Sequence, residues 1–392
     1  MLNKSKCLKL YVRNEEGEYI NKKIIYADNA ATTKMDSEAL EVMKQILSEE
    51  YANPSQRYSF SRYSRELLKK ARTDIAECIN AEPEEIFFTS GGTESDNWAI
   101  KGTAGYVGQS KTVFCSKIEH HAVLRSCKCM EMQGFSIEYI PCNESGIIMP
   151  EQLQNMIHEP SLVSVMTINN EIGTIQPIKE LAAIAHKHNA LFHTDAVQAV
   201  GHIQINVKEL GVDLLSASAH KFNGPRGVGF QYIKKGTPIL PFINGGSQQN
   251  GLRGGTENVA AISAMAVALK NNVCRIDENN THIEQLSKEF YSALNGKYQI
   301  NGSHHRYSGI CSISFKGISG ESLFHLLDLK GCYVSTGAAC DSVKMQVSHV
   351  LSSMNIAEEQ AKSTIRISFG KDNTVEEAVL LAKNINTFIS NI

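Results

Sequence analysis

No apolar run in this chain is long enough to cross a membrane, and its opening residues lack the continuous apolar core of a secretory signal. Charge of one sign is equally scarce. Thirty-nine basic residues stand against 41 acidic ones, a net charge of −2, which excludes a strong field toward nucleic acid or lipid. The ten cysteines show no paired spacing of a disulfide framework. No Cys or His stands at finger-type distance from the adjacent His120 and His121, so no metal site is expected. Internal repeats and low-complexity tracts are absent. These absences leave a cytoplasmic protein in a reducing compartment, with no membrane and no direct nucleic-acid partner. With 392 residues, 42% of them apolar, the chain can hold two modest domains and a large core.

What is present is a regular alternation. Seven strand-like apolar runs lie between residues 86 and 235: IFFTS, TVFCS, SIEYI, LVSVMTI, ALFHTDA, DLLSAS and GVGFQYI. Amphipathic segments such as IKELAAIAHKH separate them. That order predicts an α/β fold with a mostly parallel sheet and helices on both faces. After Thr256 come an apolar helix (VAAISAMAVAL) and a polar one at about 278–295. From about 300, short strands (GICSISF, STIRISF) and helices suit a smaller α+β domain. The expected division is an extension over 1–23, a large domain over 35–275, and a small domain from 24–34 and 276–392. The extension spells either a short hairpin or a loose lead.

The chemistry sits at the ends of those runs, where open α/β sheets bind ligands. In SASAHKFNGPRGVGF (216–230) Lys221 follows His220, with Ser216 and Ser218 just before and a Gly-rich loop after. Upstream, FHTDAVQAV ends its apolar run on Asp195, with Gln198 three residues on. A carboxylate to pair with a protonated pyridine nitrogen, a lysine to form a Schiff base and hydroxyls and a His toward a phosphate are what a pyridoxal phosphate site requires. A lone Lys here would be a surface residue after a buried strand. Three further segments weigh against that. Ser90-Gly91-Gly92-Thr93 forms a strand-to-helix turn suited to an anion, though without the Lys-Ser/Thr of a Walker loop, and a plain N-cap by Ser90 or Thr93 is the alternative. The His120–His121 pair is either a helix start at the surface or a source of one flat imidazole to stack on the ring. Cys340 lies among Ser, Thr, Gly and Ala residues (335–339), a composition for an exposed, reactive thiol. Cys78, Cys115 and Cys311 lie in apolar runs and read as core filler, while Cys7, Cys127 and Cys129 read as open to solvent.

In this order the segments closely resemble the cysteine desulfurases of the NifS/IscS type, in the class V branch of fold-type I pyridoxal phosphate enzymes. The resemblance runs from about Ile25 to the C-terminus. It is carried by YADNAATT (26–33), NPS (53–55), TSGGTESDN (89–97), KIEHHAVL (117–124), NNEIGTIQPI (169–178), HTDAVQAVG (193–201), SASAHKFNGPRGVG (216–229), LRGGTENV (252–259), STGAACDS (335–342) and TIRISFG (364–370).

The resemblance implies removal of sulfur from L-cysteine, giving alanine and a persulfide on Cys340. That sulfur would pass to an acceptor protein for iron–sulfur cluster assembly or nucleic-acid thiolation. It implies Lys221 as cofactor lysine and base, Asp195 as partner of the pyridine nitrogen and His120 as the stacking ring. Gln198 and Asn170 would contact the ring hydroxyl, and Asn170 and Arg366 the substrate carboxylate. Gly92, Thr93, Ser218 and His220 would hold the phosphate. Thr256 would reach it from the second subunit of a homodimer. Some features depart from the family. Tyr58 stands near the place of a usual His after NPS. The stretch before YADNAATT is long, and the chain ends at Ile392 without the long tail that housekeeping members use toward their scaffold. The spacing from Cys340 to SHVL (348–351) resembles the long-loop group. Rival readings are a selenocysteine lyase, a class V aminotransferase, which has no use for Cys340, and an inactive scaffold of a sulfur-transfer complex.

Overall fold

The computed structural model describes residues 10–13, 19–22, 24–106, 111–336 and 347–390. The segment bearing Cys340 and the residue Cys7 lie outside the described residues. The seven expected runs form one seven-stranded sheet. Its order across the sheet is Ile86–Thr89, Gly229–Ile233, Leu214–Ser218, Leu191–Asp195, Leu162–Ser164, Thr112–Ser116, Ser136–Ile140. Only Gly229–Ile233 runs antiparallel to its neighbours.

Alternate residues along each strand feed two separate cores, as a pleated strand buried on both sides must. Phe88, Phe114, Val163, Phe192 and Leu215 enter one core. Phe87, Val113, Leu162 and Leu214 enter the other, packed under Trp98 and Ala99 of the helix Gly92–Ala104. His193 and Asp195 alternate with Phe192 and Thr194 and therefore face that helix.

The run LVSVMTI is a strand only to Ser164. Val165 and Thr167 still donate to the carbonyls of His193 and Asp195. The chain then folds back on itself through an Ile168–Ile175 bridge. Asn169 Oδ1 drives that reversal by accepting the amides of Glu171 and Ile172.

A three-stranded antiparallel sheet (Tyr298–Asn301, Ile310–Phe315, Thr364–Ser368) carries the third part of the chain, under the helices Gly320–Leu329 and Val375–Ile389. Its core draws Ile25 and Ala27 from the start of the chain and Phe290 to Ile385 from its end. Ile25–Tyr26 pairs in parallel with Cys332–Tyr333, and Asp28 bridges to Ser368. The YADNAATT segment thus starts at the smaller sheet and then crosses to the larger. The helix Ile276–Ala293 joins the large-sheet and small-sheet cores, with Ile283 in the former and Leu286 and Phe290 in the latter. At the N-terminus Leu10–Arg13 pairs antiparallel with Tyr19–Lys22, the hairpin option of the two.

Cys115 and Cys311 are buried as expected, and Cys78 is half-buried. Cys127 corrects the sequence reading. It is fully buried, because its side of the helix His121–Glu131 packs on the sheet, whereas Cys129, two residues on, is partly exposed. Among the described residues no single helix is long and apolar enough to cross a membrane.

Candidate active site

Three strand ends and two helix starts open into one pocket of about 600 Å³. Its lining includes Gly92, Thr93, His120, Asn170, Asp195, Gln198, Ser218, His220, Lys221 and Arg366. Residues spread over 275 positions of sequence are thereby brought together. Thr256 is exposed and does not line this pocket.

The anion turn is built by close approach. Gly91 has φ +145°, and the helix behind it has no side-chain cap. The N-cap alternative for Ser90 and Thr93 is thereby overturned. A Cβ on Gly229 would lie 2.4 Å from the Ala217 carbonyl and 2.7 Å from Gly91 Cα, so only glycine lets the turn seat against the strand. Glu94 braces the turn. It accepts the Ser90 amide at 2.9 Å and pairs with both Nε and Nη2 of Arg253. The free amide end of the helix faces the pocket and suits a phosphate.

Asp195 is fully buried at its strand end, and Val197 N–H donates to Oδ1 at 2.9 Å. Burial pushes its carboxyl up to about 6, which a facing cation would reverse. His120 is at once the N-cap of its helix and a wall of the pocket. Its Nδ1 accepts the Ala122 amide, which fixes the ring proton on Nε2. Burial, and then the Lys221 charge, holds it down at about 4, so it is a neutral, flat face. Lys221 Nζ donates to the carbonyls of Ala30 and Ala31 at 2.6 and 2.9 Å. Gln198 donates to Ala30 O as well, at 2.8 Å. His220 is held at about 4 by burial and then by Lys221, and bonds Thr32 Oγ1 through Nδ1.

Arg366 closes the pocket from the small sheet. It donates from Nη1 to the Asn170 carbonyl at 3.0 Å and from Nη2 to Asp28 Oδ1 at 2.7 Å. Its buried Nε has no partner among the described residues. Sequence reasoning missed Asp28, whose only sign was its place in the YADNAATT motif. It also missed Asp96, a pocket-lining carboxylate on a helix that reads as polar. Ser216, grouped with the phosphate hydroxyls, sits one pleat deeper. Its Oγ bonds His193 and Gln231 instead.

Asp96, His120 and Asp195 bring three ligand-type atoms within 4.8 Å of one another. A flat ring between His120 and Asp195 uses the same donors and also accounts for the lysine and the anion turn. A pyridine ring bearing a phosphate arm and an aldehyde therefore fits these residues: carboxylate to ring nitrogen, imidazole to ring face, amide end to phosphate, amine to aldehyde.

Fold and pocket define an α/β enzyme of the fold-type I class, whose members use pyridoxal phosphate. The family model for class-V aminotransferases matches residues 25–381. A cysteine desulfurase IscS of Dictyoglomus turgidum is 46% identical over 362 residues, 91% of this chain and 92% of its own length. A solved NifS-like protein superposes with a TM-score of 0.89 at 39% identity, covering 94% of this chain and 100% of that one. A solved structure of SspA in complex with cysteine superposes at 0.80 and 31% identity, covering 89% of this chain and 100% of that one. The chain belongs to the class-V aminotransferase family and, within it, to the cysteine desulfurases.

Proposed function

We propose that this chain binds pyridoxal phosphate in the pocket and uses it to take sulfur from L-cysteine, leaving alanine and a persulfide on Cys340. The observation that carries the reading is the convergence of Lys221, Asp195, His120 and the uncapped amide turn on one pocket closed by Arg366. The solved relative with bound cysteine supports the choice of substrate.

Bound cofactor supplies an electron sink conjugated to the substrate α-carbon. Asp195 holds the proton of the ring nitrogen, and His120 covers the ring face. The amides of Gly92 and Thr93, with Ser218 and His220, hold the phosphate. Gln198 and Asn170 orient the ring hydroxyl. Arg366 binds the substrate carboxylate, for which the second N–H of each Nη remains after the bonds to the Asn170 carbonyl and Asp28. Lys221 Nζ would hold the cofactor through its aldehyde and, as a free amine, would take the proton from the substrate α-carbon. The Cys340 thiolate attacks the substrate sulfur. The C–S bond breaks with its electron pair going to carbon, which takes up protons to become alanine.

Thr256, exposed on its own chain, suits a phosphate contact across a homodimer. The large domain is assigned to 35–275 and the small domain to 24–34 with 276–392; the core of the small sheet, drawn from Ile25, Ala27 and Leu286 to Ile385 with no buried member from 35–275, supports this. A cytoplasmic setting and a protein acceptor of the sulfur, for iron–sulfur clusters or thiolation, complete the reading.

The test supplies L-cysteine without an acceptor. Alanine should form, and mass spectrometry should find one persulfide on the Cys340 peptide. Cys340→Ser should keep the cofactor and make neither product. A keto acid in place of alanine would make the chain an aminotransferase. Faster turnover of selenocysteine would make it a lyase, and no turnover with cofactor bound would make it a scaffold.

A further inference from the structure

A row of fully buried polar side chains crosses the sheet beneath the helix that carries the pocket-lining Asp96. Ser164, His193, Ser216 and Gln231 belong to four adjacent strands and all face the helix Gly92–Ala104. Ser164 Oγ lies 2.9 Å from His193 Nδ1, and Ser216 Oγ 2.9 Å from Nε2. Ser216 donates onward to Gln231 Oε1 at 3.1 Å. With the Ser216 proton directed there, its oxygen accepts Nε2–H, and the Ser164 hydroxyl donates to Nδ1. His193 is therefore neutral, and burial holds it down at about 3. It brings no positive charge to the carboxylate beside it.

That carboxylate is Asp96. It is 1% exposed, its Oδ1 is 3.7 Å from His193 Nε2, and Oδ1 has no hydrogen-bond partner among the described residues. One of its oxygens also lies within 4.8 Å of a carboxylate oxygen of Asp195 and a ring nitrogen of His120. Two buried carboxylates this close disfavour each other's ionised form. The charged groups around the pair are few. Glu119 is a third buried acid, His120 and His193 are neutral, and Lys221 is the one cation acting on Asp195. Asp195 also accepts the Val197 amide, whereas Asp96 faces acids, a neutral ring and a hydroxyl. Burial, and then the Asp195 charge, pushes Asp96 well above the usual carboxylate range.

We propose that Asp96 is a positioning residue that acts through Asp195: it is the proton-carrying member of a buried carboxyl pair. By remaining neutral it leaves Asp195 as the single negative charge at the ring-nitrogen end of the pocket. The Ser164–His193–Ser216–Gln231 row fixes that assignment by withholding any cation from Asp96. The inference rests on the reading of Asp195 given above.

The test compares wild-type holoenzyme with Asp96→Asn and Asp96→Leu. Infrared difference spectra of wild type minus Asp96→Asn should contain the carbonyl band of a protonated acid, unchanged across neutral pH. The same band should shift in unmodified protein labelled with 13C-aspartate. Asn, neutral and of the same shape, should keep the 15N signal of the bound pyridine nitrogen and the cofactor dissociation constant within about twofold, while Leu should weaken cofactor binding about tenfold. An ionised-carboxylate band in the difference spectrum, or a loss of about tenfold in Asp96→Asn, would overturn the proposal. Asp195→Asn separates the two readings. It should lose the pyridinium 15N signal, and if it keeps that signal the ring-nitrogen assignment itself falls, while the infrared band still decides where the proton of the pair lies.

Discussion

Arg366 shows how much one side chain can be asked to do. Its guanidinium donates to a carbonyl of the large-sheet side and to Asp28, and still has the second N–H of each Nη to offer. Removing it leaves Asp28 without its ion-pair partner and a substrate carboxylate without its clamp. Arg366→Ala should raise KM for cysteine about thirtyfold or more, equivalent to ~2 kcal/mol, with cofactor still bound. Steady-state kinetics with a cofactor titration checks both halves, and an unchanged KM would reduce Arg366 to a structural role. Lys221, Asp195 and Arg366 were legible in the sequence because each is a chemically specific group at the end, or in the middle, of an apolar run. Asp28 and Asp96 were not. A carboxylate on a helix reads as a solvent-facing residue until the sheet beneath it is known, and Asp96 is buried only because Trp98 and Ala99 dock that helix on the sheet.

At the scale of elements, the anion turn depends on a strand that does not line the pocket. Gly229 pairs with Ser218 on one side and Thr89 on the other, and the Gly91 turn rests on it. Gly229→Ala puts a methyl group into the Ala217 carbonyl and the Gly91 backbone. It should cost ~1–3 kcal/mol of stability in urea melts by overpacking. It should also weaken cofactor binding, read by dialysis, because the turn must lift. Intact cofactor affinity at reduced stability would mean that the turn does not depend on this contact. All seven strands were legible from their apolar runs, and the antiparallel Gly229–Ile233 was the one whose direction alternation could not give. The run through Met166 ended early because the Asn169 turn, a side-chain effect, overrode β-propensity.

For the molecule as a whole, pH acts through buried histidines. His202 accepts the Tyr307 hydroxyl at 3.1 Å through Nδ1 and donates from Nε2 to the Lys221 carbonyl at 3.0 Å. Burial depresses it from 6.5 to about 4. The unfolded chain therefore takes up a proton at a pH where the folded chain does not. The stability His202 supports is complete above 6.5 and is lost as pH falls toward 4. His202→Gln keeps a donor and an acceptor but cannot titrate. It should remove up to ~3 kcal/mol of the acid destabilisation between those limits, measured by urea melts across pH. Equal acid sensitivity in both proteins would assign that loss to other groups. Mixing Lys221→Ala with Thr256→Ala addresses the assembly. If Thr256 completes the partner's pocket, subunit exchange creates one intact site per dimer and activity partly returns. Full exchange without recovery would keep Thr256 out of the neighbouring site.

The pairing of Ile25–Tyr26 with Cys332–Tyr333 sets a schedule for synthesis. The strand is translated near the start and its partner about 300 residues later, a delay of roughly 15–60 s at ordinary ribosome speeds. In the last third of that interval, once Gly229–Ile233 has been made, the large sheet can close, whereas the arginine and the partner strand of the small core have yet to emerge. A nascent chain therefore acquires its lysine and aspartate long before its carboxylate clamp. Ribosome stalling late in the message would release a species able to take up cofactor but unable to hold an amino acid.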